Sequence, residues 1–316
     1  MLCTLVNDAF DDGDWIFEPK LDGLRVECRF DGKRLQLLSR NDKVQNFQFP
    51  DVVKALRKSL VKRAILDGEI VCLDERGRDS FRKLQQRFHV KDKAQVERRM
   101  REHPGYLYVF DVLYHDRFDV RGLPLRERKT LLRRAVKWSD RIRFTPHVRG
   151  KGKQALNEAC RNGREGVVAK RLWSVYVGER NDDWLKIKCS GRQEFVIGGW
   201  TDPQRSRVGL GALLVGYWSD DNNDFVYAGK VGTGFTREML MDLRARLDKL
   251  ARDRSPFTQG DPPRGQHVHW VQPKLIGEIA YAEWTQNDLL RQPRFQGLRS
   301  DKPASAIHRE RPRGVA

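Results

Sequence analysis

Apolar and polar positions alternate with a period of two through the first part of the chain. Residues 15–20 make a short extended run, Asp22-Gly23 turns, and Val26, Cys28 and Phe30 share one face of a strand over 24–30. Asp31-Gly32 is a second hairpin signal before 34–40, where Leu35 and Leu37 lie on one side. The period then lengthens. Val52, Val53, Leu56 and Leu60 are spaced for a helix over 52–62, residues 64–73 return to strand, and 80–101 read as helical and very basic. A β-rich apolar run covers 106–113, helices are predicted over 125–136 and 152–162, and strands over 166–170 and 184–189. Around Ser190-Gly191-Arg192 the texture changes. A strand over 195–200 leads to a Gly-rich stretch through Gly209 and Gly211, then to strands over 212–218 and 225–231. A helix over 237–250 and a strand over 275–284 follow. Short strands with one helix in about 110 residues suggest a small barrel of the OB type. The boundary falls near residue 191, and the polar, basic tail after about 303 is expected to fray.

A length of 316 residues suits two domains. The 61 Lys and Arg outnumber the 43 Asp and Glu, and the net charge of +18 points to a polyanionic partner such as nucleic acid or a nucleotide. No stretch approaches the roughly 20 apolar residues that span a bilayer, so no membrane protein is expected. The N-terminus is broken by acids before any apolar core can build, so no secretory signal is expected. Cys3, Cys28, Cys72, Cys160 and Cys189 are odd in number, scattered and without a CxxC pair, and they read as reduced cytosolic thiols.

Six segments carry candidate chemistry. In Glu18-Pro19-Lys20-Leu21-Asp22-Gly23-Leu24-Arg25, a strand-end lysine, a turn and an arginine could aim charge at one spot. Lysine is a nucleophile only as the free amine, which needs burial or neighbouring cations. An isolated match would equally suit a surface hairpin. Glu69, in Asp67-Gly68-Glu69, could hold a ribose hydroxyl or a hard divalent ion, or be a solvated hairpin acid. Phe110 could offer a ring to a base, although an aromatic in so apolar a strand also suits a core. Glu165-Gly166-Val167-Val168-Ala169-Lys170 is followed by Lys186-Ile187-Lys188, whose two amines point to one side of a strand. They repel unless an anion sits between them, and a phosphate is the obvious one. Residues 294–303, with Arg299-Ser300-Asp301-Lys302 inside them, read by themselves as a basic tail segment.

Taken in order, these segments resemble the motif series of the covalent nucleotidyltransferases, and within them the ATP-dependent DNA ligases. KxDGxR at Lys20–Arg25, DGE at Asp67–Glu69, the aromatic strand at Phe110, EGxVxK at Glu165–Lys170, KxK at Lys186–Lys188 and RxDK at Arg299–Lys302 follow the family's order. Segments such as FDVLY, DWLKIKC, QEFVIGGWTDP and AGKVGTGF look like the ligase module of bacterial ligase D, the end-joining type. The polymerase and nuclease modules of larger ligase D proteins, a helical DNA-binding domain before Lys20 and the zinc-finger parts of NAD-dependent ligases are not expected. The resemblance implies an α+β chain, with an antiparallel-sheet nucleotidyltransferase domain over 1–191 and an OB-fold domain over 192–316.

It also implies chemistry. Lys20 would attack the α-phosphorus of ATP, pass AMP to a DNA 5′-phosphate, and a 3′-hydroxyl would then displace AMP. Lys186 and Lys188 would sit on the α-phosphate and help to keep Lys20 neutral. Glu69 and Glu165 would bind Mg2+ or Mn2+, or the ribose. Glu18 would accept from the adenine amino group, Phe110 would stack on the base and Val168 would pack its other side. Arg25 and Arg40 would reach the ribose and later the 5′-phosphate. Arg299 and Lys302 would bind the β- and γ-phosphates when the OB domain closes. The expected partners are nicked or broken duplex DNA and a Ku-type end-binding protein or other repair proteins, for a monomer of the cytoplasm and nucleoid. The basic stretch 82–101 and the loop 205–211 are the expected DNA contacts. An RNA ligase, a capping guanylyltransferase and a non-catalytic nucleic-acid-binding protein are the alternatives.

Overall fold

The protein is described by a computed structural model covering residues 1–60, 62–88, 90, 92–189, 191–203 and 208–311. It forms two compact units, Met1–Cys189 and Ser190–Glu310. The first runs β1 (Leu2–Val6), β2 (Trp15–Pro19), β3 (Leu24–Phe30), β4 (Leu35–Ser39), α1 (Pro50–Ser59) and β5 (Ala64–Cys72). It continues with α2 (Phe81–Gln85), α3 (Lys93–Glu102), β6 (Gly105–His115), β7 (Phe118–Asp119) and α4 (Leu125–Ala135). Then come β8 (Ile142–Phe144), β9 (Val148–Arg149), α5 (Gly152–Arg161), β10 (Gly166–Arg171) and β11 (Arg180–Lys188).

The strands build two sheets. One has the order β1-β11-β10-β2-β9, the other β4-β3-β5-β6-β7 with β8 added to β6. Pairing is antiparallel except for β1 with β11 and β6 with β8. Alternation decides what each face does. In the five-stranded sheet, Phe17, Val167, Ala169, Leu185 and Ile187 pack with Ala159 of α5. Their neighbours in sequence, Glu18, Val168, Lys186 and Lys188, are therefore turned to the opposite face. The six-stranded sheet buries Val26, Cys28, Leu66 and Ile70 against Val52 and Leu56 of α1. The stretch 80–101 is two helices instead of one. Ser80 caps α2 by accepting from the Lys83 amide, and Asp92 caps α3 by accepting from the Gln95 amide. Two capping residues in one basic run start two separate helices.

The second unit comprises β12 (Gly191–Thr201), β13 (Ala212–Trp218), β14 (Phe225–Val231), α6 (Arg237–Asp248), β15 (Ala251–Arg252) and β16 (Val268–Val271). It ends with β17 (Ile276–Tyr281), β18 (Glu283–Trp284), β19 (Leu290–Arg291) and β20 (Arg294–Arg299). The long β12 pairs with β13, β16 and β17, and β17 pairs with β20, giving a curved sheet consistent with an OB fold. Helix α6 turns Leu240, Leu243 and Leu247 into its core. The segment that reads as a basic tail thus begins as a core strand.

The tail does not fray at Pro303. Ile307 is buried, its carbonyl accepts from the Trp218 amide, and the Glu310 amide donates to the Gln193 side chain. One apolar residue and these backbone bonds outweigh a polar composition. Within the loop 205–211, positions 205–207 lie outside the described residues. Among the described residues no helix is long and apolar enough to cross a membrane.

A buried ion pair supports α4. The Asp111 carboxylate accepts from Arg128 Nε at 2.8 Å and Nη2 at 2.9 Å, with both side chains fully buried. Arg128 also donates to the carbonyls of Leu123 and Ser174. Asp111→Ala would leave a buried guanidinium without its counter-charge and should cost about 3–5 kcal/mol. Asp119→Ala, at the exposed Arg121 pair, should cost about 0–1 kcal/mol, and urea unfolding of the two variants compares them.

Candidate active site

The register of β10 assembles one wall of the site. Val168 lies between Glu18 of β2 and Lys186 of β11, while Gly166 faces Lys188 and Lys170 faces Trp184. Residues directly opposite across a sheet project to the same face. Glu18, Val168, Lys170, Trp184, Lys186 and Lys188 therefore share it. Lys20 follows the end of β2, and its backbone amide donates to the Gly166 carbonyl at 2.9 Å. A side chain at Gly166 would come within 2.0 Å of the Ile187 carbonyl oxygen, so glycine is required where these backbones converge. The close packing delivers the Lys20 ammonium to Glu165, Nζ to Oε2 2.6 Å.

The six-stranded sheet supplies the facing wall. Arg25 and Glu69 are cross-strand partners on β3 and β5. A Cβ at Gly23 would lie 2.8 Å from Glu69 Cγ, so the turn that carries the Lys20 motif rests directly on Glu69. Arg25 is clasped by Asp67, Nε at 3.0 Å and Nη2 at 2.6 Å, and the Tyr176 hydroxyl donates to the same carboxylate at 2.8 Å. Phe110 on β6 sits edge-on to Trp184 with centroids 6.0 Å apart, and Lys170 Nζ is 4.2 Å from its ring centroid. Arg40 is exposed beyond the end of β4.

Two chain halves with this geometry match known families. Residues 1–188 match the family described as ATP dependent DNA ligase domain, and 206–302 the ATP dependent DNA ligase C terminal region. The chain belongs to the ATP-dependent DNA ligase family. It is 41% identical over 307 residues to the multifunctional non-homologous end joining protein LigD of Pseudomonas aeruginosa, covering 96% of this chain and 35% of that protein. The LigD of Mycolicibacterium smegmatis is 36% identical over 297 residues, covering 93% and 37%. The chain thus spans about a third of the length of these curated relatives. A solved mycobacterial DNA ligase D complexed with ATP and MES superposes with a TM-score of 0.68 at 31% identity, covering 98% of both chains. Matches of both halves to DNA ligase families do not favour the RNA-ligase, capping and non-catalytic alternatives.

Some site residues of the ligase were invisible to motif reading. Glu18 is 2% exposed and its carboxylate is held on both oxygens, by Lys129 of α4 and by Lys170 at 2.7 Å. Asp67 lies inside the DGE motif without a role of its own, Lys129, Tyr176 and Trp184 lie outside the six motifs, and only the fold shows what they touch. Cross-strand register could have flagged Trp184, opposite the motif lysine Lys170.

Arg299 and Lys302 belong to the second unit, among acids of their own. Arg299 pairs with Asp301 at 3.0 Å, Glu194 at 3.4 Å and Glu278 at 3.6 Å, and Lys302 pairs with Glu194. Glu194 and Glu278 are direct cross-strand neighbours on β12 and β17, an arrangement that repels unless cations lie between them.

The cysteines require a correction. Cys160 and Cys189 form a disulfide, with Cα atoms 5.3 Å apart, while Cys3, Cys28 and Cys72 are free thiols. The hairpin of β10 and β11 returns Cys189 to the end of α5, a closeness that scattered spacing in sequence does not reveal. The Cys189 amide also donates to the Glu165 carbonyl at 3.0 Å.

Burial pushes the Glu18 and Asp67 carboxyls up, but Lys129 and Lys170 at the first and Arg25 at the second more than offset it, so both lie below their ordinary values. The unfolded ligase therefore takes up these protons at higher pH than the folded one. Their contribution is present in full above the ordinary values of 4.5 and 3.8, and is lost as pH falls through the lowered ones. Urea midpoints should accordingly drop as pH falls below about 4.5, and less steeply in Asp67→Asn than in the parent. Parallel curves for the two proteins would remove Asp67 from the account.

Proposed function

We propose that the ligase joins 5′-phosphate and 3′-hydroxyl ends in duplex DNA through a covalent Lys20–AMP intermediate, as the sealing component of end joining. The observation that carries this reading is the Lys20–Glu165 pair on the face that also bears Lys186 and Lys188. The relatives' names support the end-joining context, and the +18 net charge suits a DNA partner. A Ku-type end-binding protein is the partner that context calls for.

The steps follow from charge. Lys20 must lose its proton before its amine can form a bond to the α-phosphorus of ATP and expel pyrophosphate. In the resting chain Glu165 stabilises the ammonium, so breaking this pair precedes attack. Lys186 and Lys188 neutralise the α-phosphate oxygens, on which charge builds in the transition state. That phosphate is present in all three steps, so the lysine pair serves each. AMP then passes to the DNA 5′-phosphate, and the 3′-hydroxyl displaces it as the phosphodiester forms. Glu18, Phe110 and Val168 are the proposed adenine contacts, and Arg25 and Arg40 the groups for ribose and 5′-phosphate. Arg299 and Lys302 are proposed to act on the outgoing pyrophosphate.

Among the described residues no cluster of three or more His, Cys, Asp or Glu could hold a metal. This suits Mg2+ or Mn2+, which are commonly held by one or two carboxylates together with substrate phosphates and water. Glu165 and Glu69 are the proposed carboxylates. A divalent ion there would screen the triphosphate and give Glu165 a partner other than Lys20.

Lys20→Ala should abolish labelling of the protein by α-labelled ATP on a denaturing gel while leaving the circular dichroism spectrum unchanged. A labelled band in that variant would sink the assignment. The double variant Arg299→Ala with Lys302→Ala should lose self-adenylylation by about a hundredfold or more, because cations aimed at a leaving group stabilise only the step that releases it. Its single-turnover sealing of a pre-adenylylated nick should stay near that of the parent, whereas Lys186→Ala should be slow in both assays. Equal losses by the double variant in both assays would assign its two residues to DNA binding or folding.

A further inference from the structure

The ion trio beneath the proposed base pocket has a member that no motif contains. Lys129, on α4, holds one Glu18 oxygen while Lys170 holds the other, and all three side chains are buried. Lys170 continues to the aromatic groups, 4.2 Å from the Phe110 ring centroid and 3.8 Å from that of Trp184. Glu18 is thus bound on one oxygen by Lys129 and tied through Lys170, on the other, to the ring proposed to stack on adenine. Two lysines on one carboxylate leave a surplus positive charge in a closed space. The surroundings register it: His147 is held down to about 4 by burial first and by Lys129 next, and its buried Nδ1 has no hydrogen-bond partner among the described residues. Burial likewise brings Lys129 down to about 8.

We propose that Lys129 is a positioning residue for base selection, which keeps Glu18 ionised and aimed so that it accepts from the exocyclic amino group of adenine. The proposal rests on the reading that Glu18 and Phe110 meet the base. An ionised carboxylate only accepts, so it suits the adenine 6-amino group and opposes the 6-oxo group of hypoxanthine or guanine. Each Glu18 oxygen spends one acceptor site on a lysine and retains capacity for another donor. Without Lys129, one cation would be left to offset the burial of Glu18, and the carboxyl would move toward its protonated form. A protonated carboxyl can donate, and donation is what a 6-oxo base needs. Removing Lys129 should therefore weaken discrimination as well as rate.

The test is single-turnover self-nucleotidylation of the full chain with ATP and with inosine triphosphate, in the parent, Lys129→Met, Lys129→Gln, Lys129→Arg and Glu18→Gln. The parent should favour ATP. In Lys129→Met the ATP-to-inosine-triphosphate ratio of kcat/KM should fall about tenfold or more, since the polar contact that separates the bases has lost its fixed polarity. Lys129→Arg, which keeps the charge, should hold the ratio within about twofold of the parent. Should Lys129→Met fail to fold by circular dichroism, Lys129→Gln carries the same expectation with a donor in place of the charge. An unchanged ratio in the folded neutral variant, with both nucleotides slowed alike, would overturn the proposal and leave Lys129 a structural residue. Glu18→Gln separates the two layers of the argument. If it alters the ratio and the neutral Lys129 variants do not, only the role of Lys129 fails; if it leaves the ratio unchanged, the adenine reading of Glu18 fails as well.

Discussion

Positive charge is the constraint around which the first unit is arranged. A site for a triphosphate needs several cations at one place, and cations at one place repel before the phosphate arrives. Two ammoniums 4 Å apart cost about 4 kcal/mol at the effective dielectric near a protein surface, and more when buried. The chain meets this with acids held at two depths. Glu165 takes the Lys20 ammonium near the open face, where that lysine side chain is 21% exposed. Glu18 takes Lys129 and Lys170 in the sealed interior. The shallow pair, partly open to water, can exchange partners at a lower cost. The deep trio cannot do so without stranding a charge, which suits it to holding geometry.

Strand register makes both depths possible. β10 is paired on both sides, and its alternation sends Val167 and Ala169 to the α5 core and Val168 and Lys170 to the site. A slip of one residue would put the lysines into the apolar core, so burial of Phe17, Leu185 and Ile187 fixes the chemistry as firmly as the fold. Gly166 sits where this strand begins. Its missing side chain lets the Lys20 amide reach the Gly166 carbonyl while Ile187 crowds the other side. Sheet, glycine and Lys20 are one construction.

How much of this is legible in sequence depends on how local the cause is. The strand over 24–30, with its hairpin signal, and the pair over 212–218 and 225–231 are set by alternation and turns, and they occur with those bounds. The order of the motifs, each a few residues long, points to the family without any knowledge of contacts. What escapes is pairing between distant segments. Lys129 lies 111 positions from Glu18 and looks like an ordinary surface lysine in an amphipathic helix. Cys160 and Cys189 meet only because a hairpin returns. The polar end of the chain gave no sign that Ile307 would be buried. Composition describes what a segment would do alone, and these segments are not alone.

The second unit applies the same charge logic to a different end. Glu194 and Glu278 face each other across β12 and β17, and Arg192, Arg299 and Lys302 lie against them. The cations are not equivalent. Arg299 is 14% exposed and meets three carboxylates, so moving it would uncover neighbouring acids in a poorly solvated place. Lys302 is 24% exposed and rests against Glu194, on a flexible stem that lets its ammonium swing without disturbing the strands. If one of the two gives up its acid to meet a phosphate, the lower cost falls on the lysine. Arg299 could follow only at a higher cost, because it also offsets Glu278 and Asp301.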